Sequence, residues 1–310
     1  MPAWDELLTK VNELGSDTSG AWMQEQLTSS LRQIGVLRGD RNVILYASAF
    51  LQKPDIPGTY LMITNEDLNG LMSVIYKMDC SKGVTLVLHT PGGVTVAAET
   101  MVSYIRSKFS DVEVIIPTFA MSAGTMLCLS ADRIVMGRQS QLGPIDPQMS
   151  VGGGRSMSAR AVTEQFERAK AEILQDVATA HVWAPIMQSH GPALLQEAQN
   201  ALDYSERMVA HWLTTWMFRD FEDPDAAGKA TAKHFNDATE HKSHGRRIDR
   251  DEARLQKLVV EDLEDNQALQ EQVLTAYHLM TIVFTQTPAV KLIWSDAGRL
   301  WQKGWSGSES

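Results

Sequence analysis

Cysteine is nearly missing from this chain of 310 residues: Cys80 and Cys128 are the only two. Each stands alone in its segment, which excludes a disulfide framework and a cysteine-ligated metal centre. Positive charge is also short, with 28 Lys and Arg against 38 Asp and Glu and a formal charge of -10. A broad basic footprint for a phosphate backbone is therefore lacking, and nucleic acid is not an expected partner. The hydrophobic share of 44% and the charged share of 21% are those of an ordinary globular chain, so neither disorder nor a fibrous repeat fits. Residues 1–14 carry Asp5, Glu6 and Glu13 rather than a basic stretch, an apolar run and a small-residue cleavage site, so no signal peptide is expected. Long charge-free runs are scarce. The one that approaches a membrane span, residues 114–131 (VIIPTFAMSAGTMLCLSA), is broken by Pro117, Ser122, Gly124 and Thr125, as a buried strand, turn and helix would be. Together these absences predict a cytoplasmic protein with no transmembrane segment.

At about 150 residues per domain, the length allows one large domain or two modest ones. Residues 42–46 (NVILY) read as a strand. Residues 65–77 read as a helix capped by Asn65, with Leu68, Leu71, Met72 and Ile75 on one face. Residues 84–88 (VTLVL) are nearly all apolar and suit the middle of a parallel sheet. A helix follows over residues 94–109, with Val94, Ala98, Met101, Val102, Ile105 and Phe109 on one face, then a strand over 112–117 (VEVIIP) and another helix after Ser122. Strand, helix, strand and helix make a βαβ crossover. It delivers two loops, residues 90–93 and 120–124, to the carboxyl edge of one sheet, where open α/β sheets place their ligands. Gly92 and Gly93 leave the backbone unobstructed and accept the positive φ angles that turn an amide inward. Ser122 opens a helix among Ala120, Ala123 and Gly124. This equips the chain for acyl transfer, with Ser122 Oγ attacking a carbonyl while the amides of Gly93 and Ala123 hold the oxyanion. A serine chosen only for close helix–strand approach, or a Pro-Gly-Gly that only closes a turn, would explain one loop each; the agreement of two loops favours chemistry.

The stretches LHTPGG (residues 88–93), AMSAGTM (120–126), DRIVM (132–136) and LGPIDPQ (142–148) resemble the Clp-protease and crotonase superfamily. In particular they are similar to the serine dehydrogenase proteinase family and its relatives, the Ser-Lys signal peptide peptidases. The resemblance is strong over residues 42–148, and KSHGRRIDRDEA (242–253) resembles a downstream His-containing motif of the proteinase family. It implies an α/β fold of the crotonase-like spiral type, a homo-oligomer, and a serine peptidase acting on peptide or protein substrates without a cofactor. By similarity Ser122 falls on the nucleophile and Gly92, Gly93 and Ala123 on the oxyanion loop.

The general base has two candidates. In the Clp proteolytic subunit it is a His that would fall near Asp146, where this chain has none. In signal peptide peptidases it is a Lys about fifty residues after the serine, a place that only Lys170 approaches. Ser158 caps an expected helix with an apolar face of Val162, Phe166, Ala169, Ile173 and Val177, and Lys170 borders that face, where apolar surroundings lower an amine pKa. Its plainer reading is a solvated residue paired with Glu167. His244 suits base chemistry near neutrality without burial; its plainer reading anchors a polar turn with Asp249 or Asp251. His89 is expected to hydrogen-bond at a strand end. Of His234, His241 and His244, the last two are spaced for one face of a helical turn, but Gly245 disrupts the helix and no third ligand is evident, so no metal is expected.

Gly152, Gly153 and Gly154 read as a hinge or mobile lid, since no Gly-Lys-Ser/Thr follows. Trp294, Trp301 and Trp305 are spaced to line a C-terminal helix that packs on the body or docks a protein partner or membrane surface. Residues 249–263 read as a solvated helix, and residues 306–310 as a disordered tail. The expected organisation is an α/β catalytic core over residues 1–154 and a mainly helical extension over 155–310 that supplies the base and oligomer contacts. Two other functions fit the same fold: a crotonase-like acyl-thioester enzyme, which needs paired carboxylates, and a scaffold or binding subunit that has lost its base.

Overall fold

A computed structural model of the chain describes residues 4–151, 155–190 and 193–307. The strands, in chain order, are Asn42–Ser48 (β1), Val84–His89 (β2), Val112–Ile116 (β3), Phe119–Ala120 (β4), Arg133–Met136 (β5), Gln141–Leu142 (β6), Gln148–Val151 (β7), Arg155–Ser158 (β8), Val260–Asp262 (β9), Ala289–Ser295 (β10) and Leu300–Gly304 (β11). They fall into two units, one made of Met1–Leu142 with Ile248–Ser310 and the other of Gly143–Arg247. These bounds fall after Leu142 and after Arg247, whereas the expected split is at Gly154. After Arg247 the chain returns to the first unit, because β9 and β10 complete its sheet on either side of the early strands.

The first unit is mixed α/β. Its seven-stranded sheet has the order β11-β10-β1-β2-β3-β5-β9; β1, β2, β3, β5 and β9 run parallel, while β10 is antiparallel to β1 and β11 to β10. Strands β1, β2 and β3 are buried at every position. That is why their sequences show continuous apolar runs rather than alternation. Val43, Leu45, Val87, Ile115 and Val135 share one core with Leu27, Leu31 and Ile34 of helix Trp4–Leu37 and Leu279 and Ile282 of helix Gln267–Gln286. Each such side chain contributes about 1.5–3 kcal/mol by leaving water. On the other face, helix Asp67–Ile75 approaches so closely that a Cβ on Gly70 would lie within 3.0 Å of Ile293 and Trp301 side chains.

Helix boundaries follow the expected periods with local changes. Asp67–Ile75 buries Leu71 and Ile75 as expected, but Met72 is exposed, and Glu66 rather than Asn65 stands at the cap without a side-chain bond. Thr95–Lys108 buries Ala97, Ala98, Met101, Val102 and Ile105, whereas Val94 is exposed. Residues 249–263 form only a short helix, Arg250–Leu255, before β9. The tryptophan-bearing C-terminus is not a helix. Trp294 and Trp301 lie on the hairpin β10–β11, with Ile293 opposite Trp301. Trp294 is buried and donates to Thr28 Oγ1 at 3.1 Å, and the Trp305 ring meets Tyr60 at 4.5 Å between centroids. These contacts commit Trp294 and Trp305 to the first unit's own core.

The second unit opens with the antiparallel hairpin β7–β8 and continues through helices Ala159–Gln175, Ala180–His190, Leu194–Thr215 and Pro224–Asn236. Ser158 caps the first of them by accepting from Arg160 N at 3.2 Å, as expected. Ala159 and Val162 pack with Leu194, Ala198 and Leu202, while Val177 stands exposed beyond the helix end. The expected Gly152–Gly154 hinge lies outside the described residues, as do residues 308–310 of the expected tail.

Candidate active site

Strand β2 ends in His89, and the chain then turns through Thr90, Pro91, Gly92 and Gly93 before helix Thr95–Lys108. Strand β3 is followed by β4 and by Met121-Ser122 before helix Ala123–Leu129. The two loops are tied together, since Thr90 N donates to Phe119 O at 2.9 Å and Met121 N to Thr90 O at 3.1 Å. They also touch directly. A Cβ on Gly92 would sit 2.5 Å from Met121 O, 2.7 Å from Ser122 Cβ and 3.1 Å from Ala123 N. With φ of 98° as well, position 92 admits only glycine without strain.

Ser122 has φ 52° and ψ -117°, a conformation that costs a non-glycine residue about 1–3 kcal/mol. Its neighbours hold it there: Gly124 N donates to Met121 O at 2.8 Å and Met126 N to Ser122 O at 3.0 Å. A serine placed at a helix start for stability accepts a bond from the second or third amide. Ser122 makes no such capping bond, and the side chain is half-buried. The close helix–strand approach is instead met by Gly124, where a Cβ would collide with the Thr90 side chain. Among the described residues, neither Gly93 N nor Ala123 N donates to another group. The bridge between Ile63 and Gly93 uses Ile63 N to Gly92 O at 2.8 Å and Val94 N to Ile63 O at 2.9 Å, so the Gly93 amide points away from Ile63.

Within the second unit, His244 Nδ1 lies 2.8 Å from Asp146 Oδ1. Asp146 is buried, and its other oxygen accepts from Gln148 Nε2 at 2.8 Å. The imidazole keeps 28% of its exposure, so one ring nitrogen is fixed by a carboxylate while the ring still meets solvent. Sequence reasoning paired His244 with Asp249 or Asp251. Asp249 instead caps helix Arg250–Leu255 through Asp251 N and Glu252 N. Asp146 sits in the LGPIDPQ stretch, where an isolated Asp between two prolines is the one local signal of it.

Lys170 lies on helix Ala159–Gln175. The side chain is 68% exposed and lies 3.9 Å from Glu167, so the expected apolar surroundings are absent. His89 is fully buried, 2.9 Å from Thr118 Oγ1, with its ring 4.8 Å from that of Phe50 and 5.3 Å from that of Tyr277. Burial pushes its pKa down to about 3, so it is a neutral strand-end residue near pH 7. His241 uses Nε2 on His234 O at 2.7 Å and Nδ1 on Arg246 at 2.9 Å.

The first unit combines a seven-stranded mixed sheet with a strained serine beside a two-glycine turn, and residues 22–188 match the family described as ClpP-like SDH-type serine proteinase. The match covers more than half of the chain, which belongs to that family. Two proteins of Methanocaldococcus jannaschii, both named as uncharacterized, are similar in part. One is 38% identical over 90 residues, covering 29% of this chain and 32% of that protein. The other is 33% identical over 120 residues, covering 38% and 41% respectively. The chain thus spans less than half the length of either relative. No helix among the described residues is long and apolar enough to cross a membrane.

Proposed function

We propose that the protein is a serine peptidase in which Ser122 forms an acyl-enzyme with a peptide or protein substrate. The observation that carries this reading is the seating of Gly92 against Ser122 Cβ and Ala123 N, with the serine left out of helix capping. Ser122 Oγ attacks the scissile carbonyl carbon, and the carbonyl oxygen takes up negative charge facing the N–H groups of Gly93 and Ala123. His244 is the general base. With the Nδ1 proton donated to Asp146, the Nε2 lone pair accepts the serine proton and passes it to the leaving amine as the C–N bond breaks. A water molecule deprotonated by the same nitrogen then attacks the acyl carbon and frees Ser122. The exposed position of Lys170 beside Glu167 supports that residue less as the base.

The same proposal includes a crotonase-like spiral, supported by a second row of bridges: Ile63 with Gly93, Thr90 with Ala120, β4 with β6, and Leu142 with Ile248. Successive passes of the chain leave the large sheet and cross this row, as the turns of a spiral would. A homo-oligomer in the cytoplasm rests on the family and on the cysteine usage.

Turnover of a peptide library by the purified protein tests the reading. Ser122→Ala should lower it about a thousandfold or more, because only oxyanion stabilisation and binding remain. Undiminished hydrolysis by that variant contradicts the assignment. An acyl-thioester enzyme would use the same two amides on a thioester but needs paired carboxylates, and Asp146 is committed to His244 and Gln148. Enoyl-thioester hydration surviving Ser122→Ala would point to that enzyme. No hydrolysis by the wild type would point to a scaffold.

A further inference from the structure

Ile63 is a single fully buried residue with two occupied edges. One edge holds the glycine turn, through Ile63 N to Gly92 O and Val94 N to Ile63 O. The fit leaves no freedom, because a Cβ on Gly93 would fall within 3.0 Å of Ile63 N, O and Cα. The other edge, formed by the flanking groups Met62 O and Thr64 N, ends on an ion pair. Lys291 Nζ donates to Met62 O at 2.8 Å and to Asp67 at 2.7 and 2.9 Å, while Asp67 Oδ2 accepts from Thr64 N at 2.9 Å. Tyr46 OH adds a third donor to Asp67 Oδ2 at 2.8 Å. Both charged side chains are fully buried.

A buried ion pair is a poor choice for stability alone, since apolar residues of the same volume often stabilise as much or more. What it does supply is direction: a carboxylate with several fixed donors holds its neighbours in one geometry. Here those neighbours are the two peptide groups on either side of Ile63. Burial lowers the Lys291 pKa and raises that of Tyr46, as expected for groups sealed in the interior around one carboxylate.

We propose that Asp67, Lys291 and Tyr46 are positioning residues for the reaction, acting through Met62, Ile63 and Thr64 to fix the Gly92-Gly93 turn and so to aim the Gly93 amide. The role rests on the reading of Gly93 N–H as an oxyanion donor. Oxyanion donors must be held close to their productive geometry, and an error of about 1 Å can cost about a hundredfold in rate. The network stands at one remove, touching neither Ser122 nor the glycines.

Tyr46→Phe removes one donor and keeps the ring; Lys291→Met removes the ammonium and keeps most of the stem. Three quantities are read on the folded full chain: the rate of Ser122 phosphonylation by a fluorophosphonate, with fluoride as the leaving group, KM for a peptide substrate, and hydrogen exchange at the Ile63 and Val94 amides. Glu113→Gln, a buried change at the opposite edge of the sheet, serves as the control for stability. The expected result for Tyr46→Phe is phosphonylation slowed about tenfold or more, KM within about threefold, and faster exchange at both amides. Lys291→Met should go further in the same direction if it folds. Unchanged phosphonylation and exchange in folded Tyr46→Phe would overturn the proposal, and so would equal slowing by Glu113→Gln at matched stability. Failure of the reading beneath it looks different, because the wild type itself would then escape labelling at Ser122, while the exchange of Ile63 and Val94 would still report whether the network holds the turn.

Discussion

At the scale of single residues, the site depends on what is left out. Gly92 lacks the Cβ that would press on Ser122 Cβ, and Ser122 lacks the capping bond that a structural serine would make. Gly92→Ala should therefore act on chemistry and stability together. It is expected to cost about 1–3 kcal/mol for the positive φ and the crowding, and to slow Ser122 acylation by more than that loss of folded protein explains. Denaturant unfolding beside labelling kinetics separates the two effects. Asp146→Asn removes the carboxylate charge that holds the His244 tautomer, and turnover should fall about a hundredfold or more. Lys170→Met should leave turnover within about twofold, since its amine is exposed; a large loss there would move the base to Lys170. Ser122 and the two glycines were legible in the sequence because small residues after an apolar strand are local signals. Asp146 and Lys291 were not. Their partners lie 98 and 224 positions away along the chain, so nothing in either local sequence announces the pairing.

At the scale of elements, the two edges of the parallel sheet differ in kind. The carboxyl edge carries the glycine turn and Ser122. The amino edge carries a charge network: buried Glu113 accepts from Arg38, Arg133 and Thr85, and Asp111 pairs with Arg41 and Arg133. These arginines hold both carboxyls below their ordinary range despite the opposing effect of burial. Glu113→Gln leaves two guanidinium groups short of a buried anion and should cost about 3–5 kcal/mol, read as a lowered denaturation midpoint. Acylation by the folded fraction should not change. The apolar strands β1 to β3 were legible because a strand buried on both faces is a continuous apolar run. The hairpin β10–β11 was not. Trp294, Trp301 and Trp305 fit a helical period only if the turn at residues 295–299 is ignored, and Gly298 with φ 78° resets the register there. The β-rich run AVKLIW before that turn was the better guide.

At the scale of the whole molecule, the chain leaves the first unit after Leu142 and comes back at Ile248. A linear reading placed one boundary and one extension, because the return is written only in pairings such as β1 with β10 and β5 with β9. The fold also carries an acid sensitivity centred on His89. Its folded pKa of about 3 lies below the unfolded value of 6.5, so the unfolded state binds the extra proton throughout that window. Stability from this group is complete above pH 6.5 and declines as the pH falls toward 3. Between pH 6.5 and 5, where carboxylates remain largely ionised in both states, the decline due to His89 should be about 2 kcal/mol. His241, lowered by its own burial, adds to the same trend. Denaturant midpoints across that range should fall less steeply in His89→Phe than in the wild type; identical slopes would remove the buried imidazole from the account.

The central claim is that the Ser122 hydroxyl is the nucleophile. Peptide mapping by mass spectrometry after treatment with a fluorophosphonate tests it most directly. One phosphonyl adduct on the tryptic fragment that contains Ser122, missing from Ser122→Ala, is the predicted result. An unmodified Ser122 under conditions that label a reference serine hydrolase, or an adduct that persists in the alanine variant, would contradict it.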